Sequence, residues 1–339
     1  MKTKPMTKFA ILALSLVLVA CAGGGSEEAG CPAIDGREIN VVATTPMIGE
    51  FVSQVGGENI NLTVLMPPEA NPHTYEPAPQ DAGTIAEADL VFYTGLLYEP
   101  AALVKLLENS ACSTDILSEV GESVFPIEFK EGGHDDHDDH DDEEGHDDHD
   151  DEEGHDDHEG HNHGAYDPHF WFDPSRVAYA AEYIESRLIQ FDPENESSYK
   201  SSADSFVSEL NDLTKQVSEL ISTVPSQNRK LITTHESLGY LEAKFGLEVL
   251  STIIPSLNSA NEISPSDLAG VIDVIEDNNV KVIFIESEAP SVYSETIVAE
   301  TGIKPVTGLY VETLKPGQSY SEFLISNVKL ITENLQDTD

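Results

Sequence analysis

The chain is expected to be an α/β protein of two (β/α) lobes with parallel sheets, joined by one long rigid helix, with a cleft between the lobes. Three observations predict this. Short apolar runs alternate with helical periodicity in two separate series along the chain. Between the series, Tyr199, Ala203, Phe206, Leu210, Leu213, Val217, Leu220 and Val224 recur at alternating spacings of four and three, the stripe of a single helix. Three isolated histidines, His73, His169 and His235, fall at the junctions of these elements.

The N-terminus is read as an address rather than as structure. Lys2, Lys4 and Lys8 precede an apolar run from Phe9 to Ala20 that is short for a membrane span and has the form of an export signal over residues 1–20. The run ends in Leu18-Val19-Ala20-Cys21 ahead of a Gly/Ser/Glu stretch, which resembles the lipobox of bacterial lipoproteins. The resemblance implies cleavage before Cys21, a lipid on that cysteine, and a flexible tether over residues 21–36. An uncleaved anchor or an ordinary signal would equally carry the chain out of the cytoplasm. In an oxidising compartment the remaining cysteines, Cys31 and Cys112, are candidates for one disulfide, with two free thiols as the alternative.

The first series, residues 37–191, opens with a buried strand from Ile39 to Ala43. Thr45-Pro46 then supplies an N-cap and a first-turn proline to a helix closed by Gly56-Gly57. Leu62 to Leu65 and Leu90 to Tyr93 repeat the strand signal around a helix from Pro79 to Ala88. Asp173-Pro174 begins a helix with an apolar stripe of Val177, Ala181, Ile184 and Leu188. The linking helix, residues 192–225, starts at Asp192-Pro193 and stops at Pro225; its ~32 residues would span roughly 48 Å. The second series, residues 226–339, reads as strand Leu231 to Thr234, helix Glu236 to Phe245, strand Glu248 to Ile253 and helix Ser264 to Asn278. Strand Val280 to Glu286, helix Ser291 to Thr301, a strand near Val306 to Val311 and a helix from Tyr320 to Leu335 follow.

Charge narrows the partners. The formal net charge is −46, and setting aside the 18 carboxylates of the run Glu131 to Gly164 still leaves −28. Nucleic acid and anionic lipid headgroups are therefore poor partners. The run itself holds His134, His137, His140, His146, His149, His155, His158, His161 and His163 in repeats such as HDDHDDHDDEEG. Such a composition buries no core, so an insertion over residues 131–164 that is disordered without metal is expected, its imidazoles forming weak cation sites. A solvating spacer without a role in uptake is the plain alternative.

His73 lies in Asn71-Pro72-His73-Thr74-Tyr75-Glu76-Pro77, His169 in Asp167-Pro168-His169-Phe170-Trp171-Phe172-Asp173-Pro174, and His235 in Thr233-Thr234-His235-Glu236-Ser237-Leu238-Gly239-Tyr240. Ligands of open α/β sheets bind beyond the carboxyl ends of strands, where these strings fall, so the cleft is expected to be a metal cleft. Three neutral imidazoles and one carboxylate form a tetrahedral set that suits Zn²⁺, with Mn²⁺ less favoured. Glu312, in Leu309-Tyr310-Val311-Glu312-Thr313-Leu314 at the end of the last strand, is the best-placed fourth donor, a solvated strand-end glutamate being the alternative. Among nearby acids, Glu76, Asp167, Glu236 and Glu286 could orient imidazoles or cap helices, and capping is the favoured role for Asp167 and Asp173.

NPHTYEP, DPHFWFDP and TTHESLGYL, in this order and with a His/Asp-rich insertion, resemble the zinc-binding solute-binding proteins of ABC metal importers, the ZnuA type, over about Arg37 to Leu335. The resemblance implies one metal at the lobe interface and delivery to an ABC permease in the cytoplasmic membrane by a lipid-anchored, extracytoplasmic monomer. It assigns the metal to His73, His169 and His235. Manganese-binding relatives usually carry a carboxylate in place of the third histidine, so His235 favours zinc. The family pattern often has Asp where this chain has Glu312, and some relatives leave that position to water. Because imidazole binds only when neutral, affinity is expected to fall as pH drops through about 6.5. Two other readings stay open: a surface zinc store or adhesin built on the acidic run, and a zinc hydrolase with Glu236 as general base.

Overall fold

The computed structural model describes residues 31, 34, 36–129, 166–288 and 292–336. The expected export signal, Cys21, most of the expected tether and the nine histidines from His134 to His163 lie outside these residues.

The first lobe is a four-stranded parallel sheet ordered β2-β1-β3-β4, from β1 (Ile39–Ala43), β2 (Ile60–Val64), β3 (Leu90–Tyr93) and β4 (Leu117–Glu119). Its connections are α1 (Pro46–Gly56), α2 (Pro79–Ala86) and α3 (Ala101–Ser110). The Thr45 side chain accepts from Ile48 N and so caps α1, where the Thr-Pro pair foretold it. β1 and β3 are the inner strands and are almost wholly buried, which is why they read as continuous apolar runs. A disulfide joins Cys31 to Cys112, just past the end of α3, with Cα atoms 5.0 Å apart.

α4 (Pro174–Phe191), capped by Asp173, leads to the long helix. This helix, α5 (Glu196–Ser222), has 27 residues, shorter than the expected 32. Pro193–Asn195 instead form a separate 3-10 turn, with the Asp192 carboxylate accepting from both Asn195 Nδ2 and Tyr199 OH. The buried carboxylate thus draws the chain into a tight turn that the apolar periodicity did not register. At ~1.5 Å per residue α5 is about 40 Å long and packs on α1 and α4 at one end of the fold and on the C-terminal helix at the other. Its buried stripe is Tyr199, Ala203, Phe206, Leu210, Leu213, Val217 and Ile221, with Leu220 only half-buried.

The second lobe pairs β5 (Lys230–His235) with β6 (Glu248–Ile254) and β7 (Val282–Glu286) with β8 (Lys304–Leu309), all parallel. The two pairs meet along β5 and β7, where Glu286 N donates to Thr234 Oγ1. Its helices are α6 (Gly239–Phe245), α7 (Pro265–Asn278), α8 (Val292–Thr301) and α9 (Tyr320–Gln336). One apolar cluster runs from β1 and α1 through α4 and α5 to β5 and α9, so the lobes share a continuous core behind the cleft. Among the described residues no helix is long and apolar enough to cross a membrane.

Candidate metal centre

Each of the three histidine strings folds into a short, locally braced segment. Asn71 Oδ1 accepts from His73 N and opens a 3-10 turn at Pro72–Thr74, just past β2. Asn71 Nδ2 reaches across to Ser259 Oγ (3.0 Å) and the Glu288 carbonyl (3.1 Å), tying that turn to the second lobe. His169 precedes a 3-10 turn of Phe170, Trp171 and Phe172, all fully buried, which anchor the loop by their apolar area. His235 is the last residue of β5.

Glu312 stands three residues beyond the end of β8, not at the strand end as expected, and the ladder no longer satisfies its backbone. Side chains take over. Glu288 Oε1 accepts from Val311 N and Glu312 N, Asn327 pairs with both backbone groups of Tyr310, Trp171 Nε1 donates to Val311 O, and Tyr98 OH lies 3.1 Å from Glu312 O. Burial and the neighbouring charges of Glu312 and Glu286 push Glu288 up to about 8.

These segments bring His73, His169, His235 and Glu312 together, one donor atom from each lying within 4.8 Å of the others. Two come from the first lobe and two from the second. Glu312 Oε1 is 3.0 Å from His73 Nε2 and 2.9 Å from His235 Nε2, while Oε2 is 3.5 Å from His169 Nε2. Tetrahedral donors ~2.0–2.1 Å from zinc are about 3.4 Å apart, so about an ångström of side-chain movement closes the set. His169, His235 and Glu312 are fully buried, and the Nε2 atoms of both histidines face the Glu312 carboxylate without a well-formed hydrogen bond. Buried imidazole nitrogens converging on a carboxylate are donors suited to a cation.

Carboxylates fix the far side of two rings. Asp167 Oδ1 accepts from both His169 N and His169 Nδ1 at 2.8 Å, and Glu286 does the same for His235, at 3.1 Å to N and 2.5 Å to Nδ1. Asp167 is thus an orienting partner rather than the helix cap it was expected to be; Asp173 alone caps α4. A hydrogen-bonded Nδ1 leaves Nε2 as the ring's metal-facing atom. Gly239, in the His235 string, keeps that partner in reach, because a Cβ there would lie 2.7 Å from Asp167 Oδ2. Glu236, the candidate general base, accepts from Thr252 Oγ1 and is absent from the donor group. Glu76 is not in that group either.

The charges within the cluster are mutually stabilising. Burial disfavours the charged form of His169, but Glu312 and the Asp167 hydrogen bond outweigh it and raise the imidazole to about 9. His235 is likewise raised against its burial by Glu286 and Glu312. Glu312, despite burial, is held well below the usual carboxylate range by the three imidazoles.

Tyr98 is the residue the sequence did not signal. Its OH lies 2.9 Å from Glu312 Oε2, and its ring stands edge-on to His73 and Trp171, with centroids 5.0 and 5.3 Å away. Leu96 and Leu97 precede it with φ of 52° and 64°, a left-handed pair that costs roughly 1–2 kcal/mol per residue. Buried Glu99 accepts from Thr94 N and Gly95 N, and Glu119 from Leu96 N, holding that strained turn.

The family model described as ZnuA, zinc-uptake complex component A, periplasmic, matches residues 41–334. The manganese ABC transporter substrate-binding lipoprotein PsaA of Streptococcus anginosus is 26% identical, over 98% of this chain and 99% of its own length. The manganese-binding lipoprotein MntA of Halalkalibacterium halodurans is 23% identical, over 95% and 94%. Among solved structures, the periplasmic zinc-binding protein TroA from Treponema pallidum superposes with a TM-score of 0.72 at 21% identity, over 88% of this chain and 99% of that one. Fe(III)-bound YtgA from Chlamydia trachomatis gives 0.71 at 25%, over 88% and 98%.

Proposed function

The chain belongs to the ZnuA family, and from that premise we propose that it captures Zn²⁺ outside the cytoplasm and hands it to an ABC-type permease. The observation that carries this reading is the convergence of three imidazoles and one carboxylate, drawn equally from both lobes, on one point. Three neutral nitrogens and one negative oxygen suit zinc better than manganese, which takes six oxygen-rich donors. The relatives named for manganese therefore support the role, and the donor set of this chain supports the metal.

Capture follows from the arrangement. The cation replaces the protons shared among Glu312, His169 and His235 and bonds to both lobes, so binding and lobe closure are one event. Docking on the permease would part the lobes, separating His73 and His169 from His235 and Glu312, and release would follow from loss of half the donors. The lipid on Cys21 would keep the protein near its permease.

Calorimetric titration of the mature protein with zinc against a competing chelator tests this. One tight equivalent, lost in His73→Ala and retained when Gly132 to His163 is deleted, is the expected result. Loss of all tight binding with that deletion would instead make the acidic run the primary site and the protein a zinc store.

A further inference from the structure

Among the described residues Glu312 is the carboxylate of the donor cluster, and its two oxygens are not equivalent. Oε1 faces both His73 Nε2 and His235 Nε2, at 3.0 and 2.9 Å, so the three atoms could share one cation. Oε2 stands farther from its nearest ring nitrogen, 3.5 Å from His169 Nε2, and is held by the Tyr98 hydroxyl at 2.9 Å; Tyr98 is 1% exposed, so water does not compete for that bond. A carboxylate can bind a cation through one oxygen or both, and the choice changes the coordination number of the site.

The geometry points to Tyr98 as a specificity-determining positioning residue: by holding Oε2 of Glu312 it leaves a single carboxylate oxygen for the metal and limits the site to four donors. Four donors match zinc; manganese gains from a second carboxylate oxygen and a larger shell. The placement is braced on every side. The Tyr98 ring is locked edge-on against His73 and Trp171, and the left-handed turn at Leu96 and Leu97 that delivers it is gripped by Glu99 and Glu119. Tyr98 comes from the first lobe and Glu312 from the second, so the restraint exists only when the lobes are together. This inference rests on the zinc-capture reading and adds to it the means of discrimination.

The test uses Tyr98→Phe in the mature protein, which removes the hydroxyl and keeps the ring. Loaded with cobalt(II), the unaltered protein should show the intense visible absorption of a four-coordinate ion, and Y98F the weaker bands of a higher coordination number. Competition titrations should show the ratio of zinc to manganese affinity narrowing by about tenfold in Y98F. An unchanged cobalt spectrum and an unchanged ratio would overturn the role of Tyr98 while leaving zinc capture intact; absence of a tight zinc equivalent in the unaltered protein would overturn both. X-ray absorption on the unaltered zinc complex does not depend on the variant folding. Four light-atom donors with no carboxylate carbon close to the metal support the inference, and a two-oxygen carboxylate overturns it.

Discussion

His169 and His235 do the same work in the two lobes, but they are held in place at very different distances along the chain. Both are fully buried, both have Nδ1 and backbone N bonded to one carboxylate, and both direct Nε2 to Glu312. For His169 that carboxylate is Asp167, two residues earlier in the same loop. For His235 it is Glu286, 51 residues away at the end of β7. The first lobe therefore orients its donor locally, while the second orients its donor only after β5 and β7 lie side by side. Partial unfolding of the second lobe should unseat His235 and Glu312 together and leave His169 oriented but without a counter-charge.

The strongest way to break this symmetry is to remove a donor. His169→Ala and His235→Ala should each weaken zinc binding about a hundred- to a thousandfold, as expected when one of four bonds is lost from a site of ~10–16 kcal/mol, measured by competition calorimetry. Removing the supports should sharpen the difference. Asp167→Asn and Glu286→Gln should each cost about 10–100-fold in affinity. Glu286→Gln should in addition lower the Tm of the metal-free protein more than Asp167→Asn does, since Glu286 also receives Ser237 Oγ and links two strand pairs. Equal drops in Tm would show that the local and distant supports are not different in kind.

Proton competition is a smaller effect, with a defined sign. In the metal-free protein His169 is raised from about 6.5 to about 9. The ion pair it makes therefore contributes stability fully below about 6.5, and that contribution is lost as pH rises through about 9. The Tm of the metal-free protein should fall across this window. Apparent zinc affinity should rise over the same range by up to about tenfold per pH unit for each proton displaced. The sequence placed this competition near 6.5; the carboxylate at the centre of the three rings moves it upward. Smallest of all, deletion of Gly132 to His163 should lower the zinc stoichiometry while changing the tight affinity less than about threefold, because none of the four converging donors lies in that run.

Much of the architecture was legible because it is written in local chemistry. Thr45-Pro46, Asp173-Pro174 and Ser264-Pro265 each begin a helix where the cap and first-turn rules put it. β1 and β3 match their apolar runs residue for residue because both faces are covered. α3 and β4 were not anticipated; they are short, and Leu117–Glu119 pairs only at the edge of its sheet. The long helix was overestimated because apolar spacing carries no record of the Asp192 carboxylate that tightens the chain into a separate turn.

The amino-acid order by itself determined the two α/β series, the helix between them, and the four residues that could share a cation, because rare imidazoles in rigid Pro-flanked or strand-end strings stand out from a chain dominated by acids. Only the tertiary structure decided which acids support them. Asp167 became a ring partner rather than a cap, Glu286 was chosen over Glu236, and Tyr98 came to rest on Glu312. Such roles depend on side chains meeting across lobes, and a hydrogen bond between residues 214 apart, as between Tyr98 and Glu312, leaves no periodicity or spacing for a reader of the sequence to find.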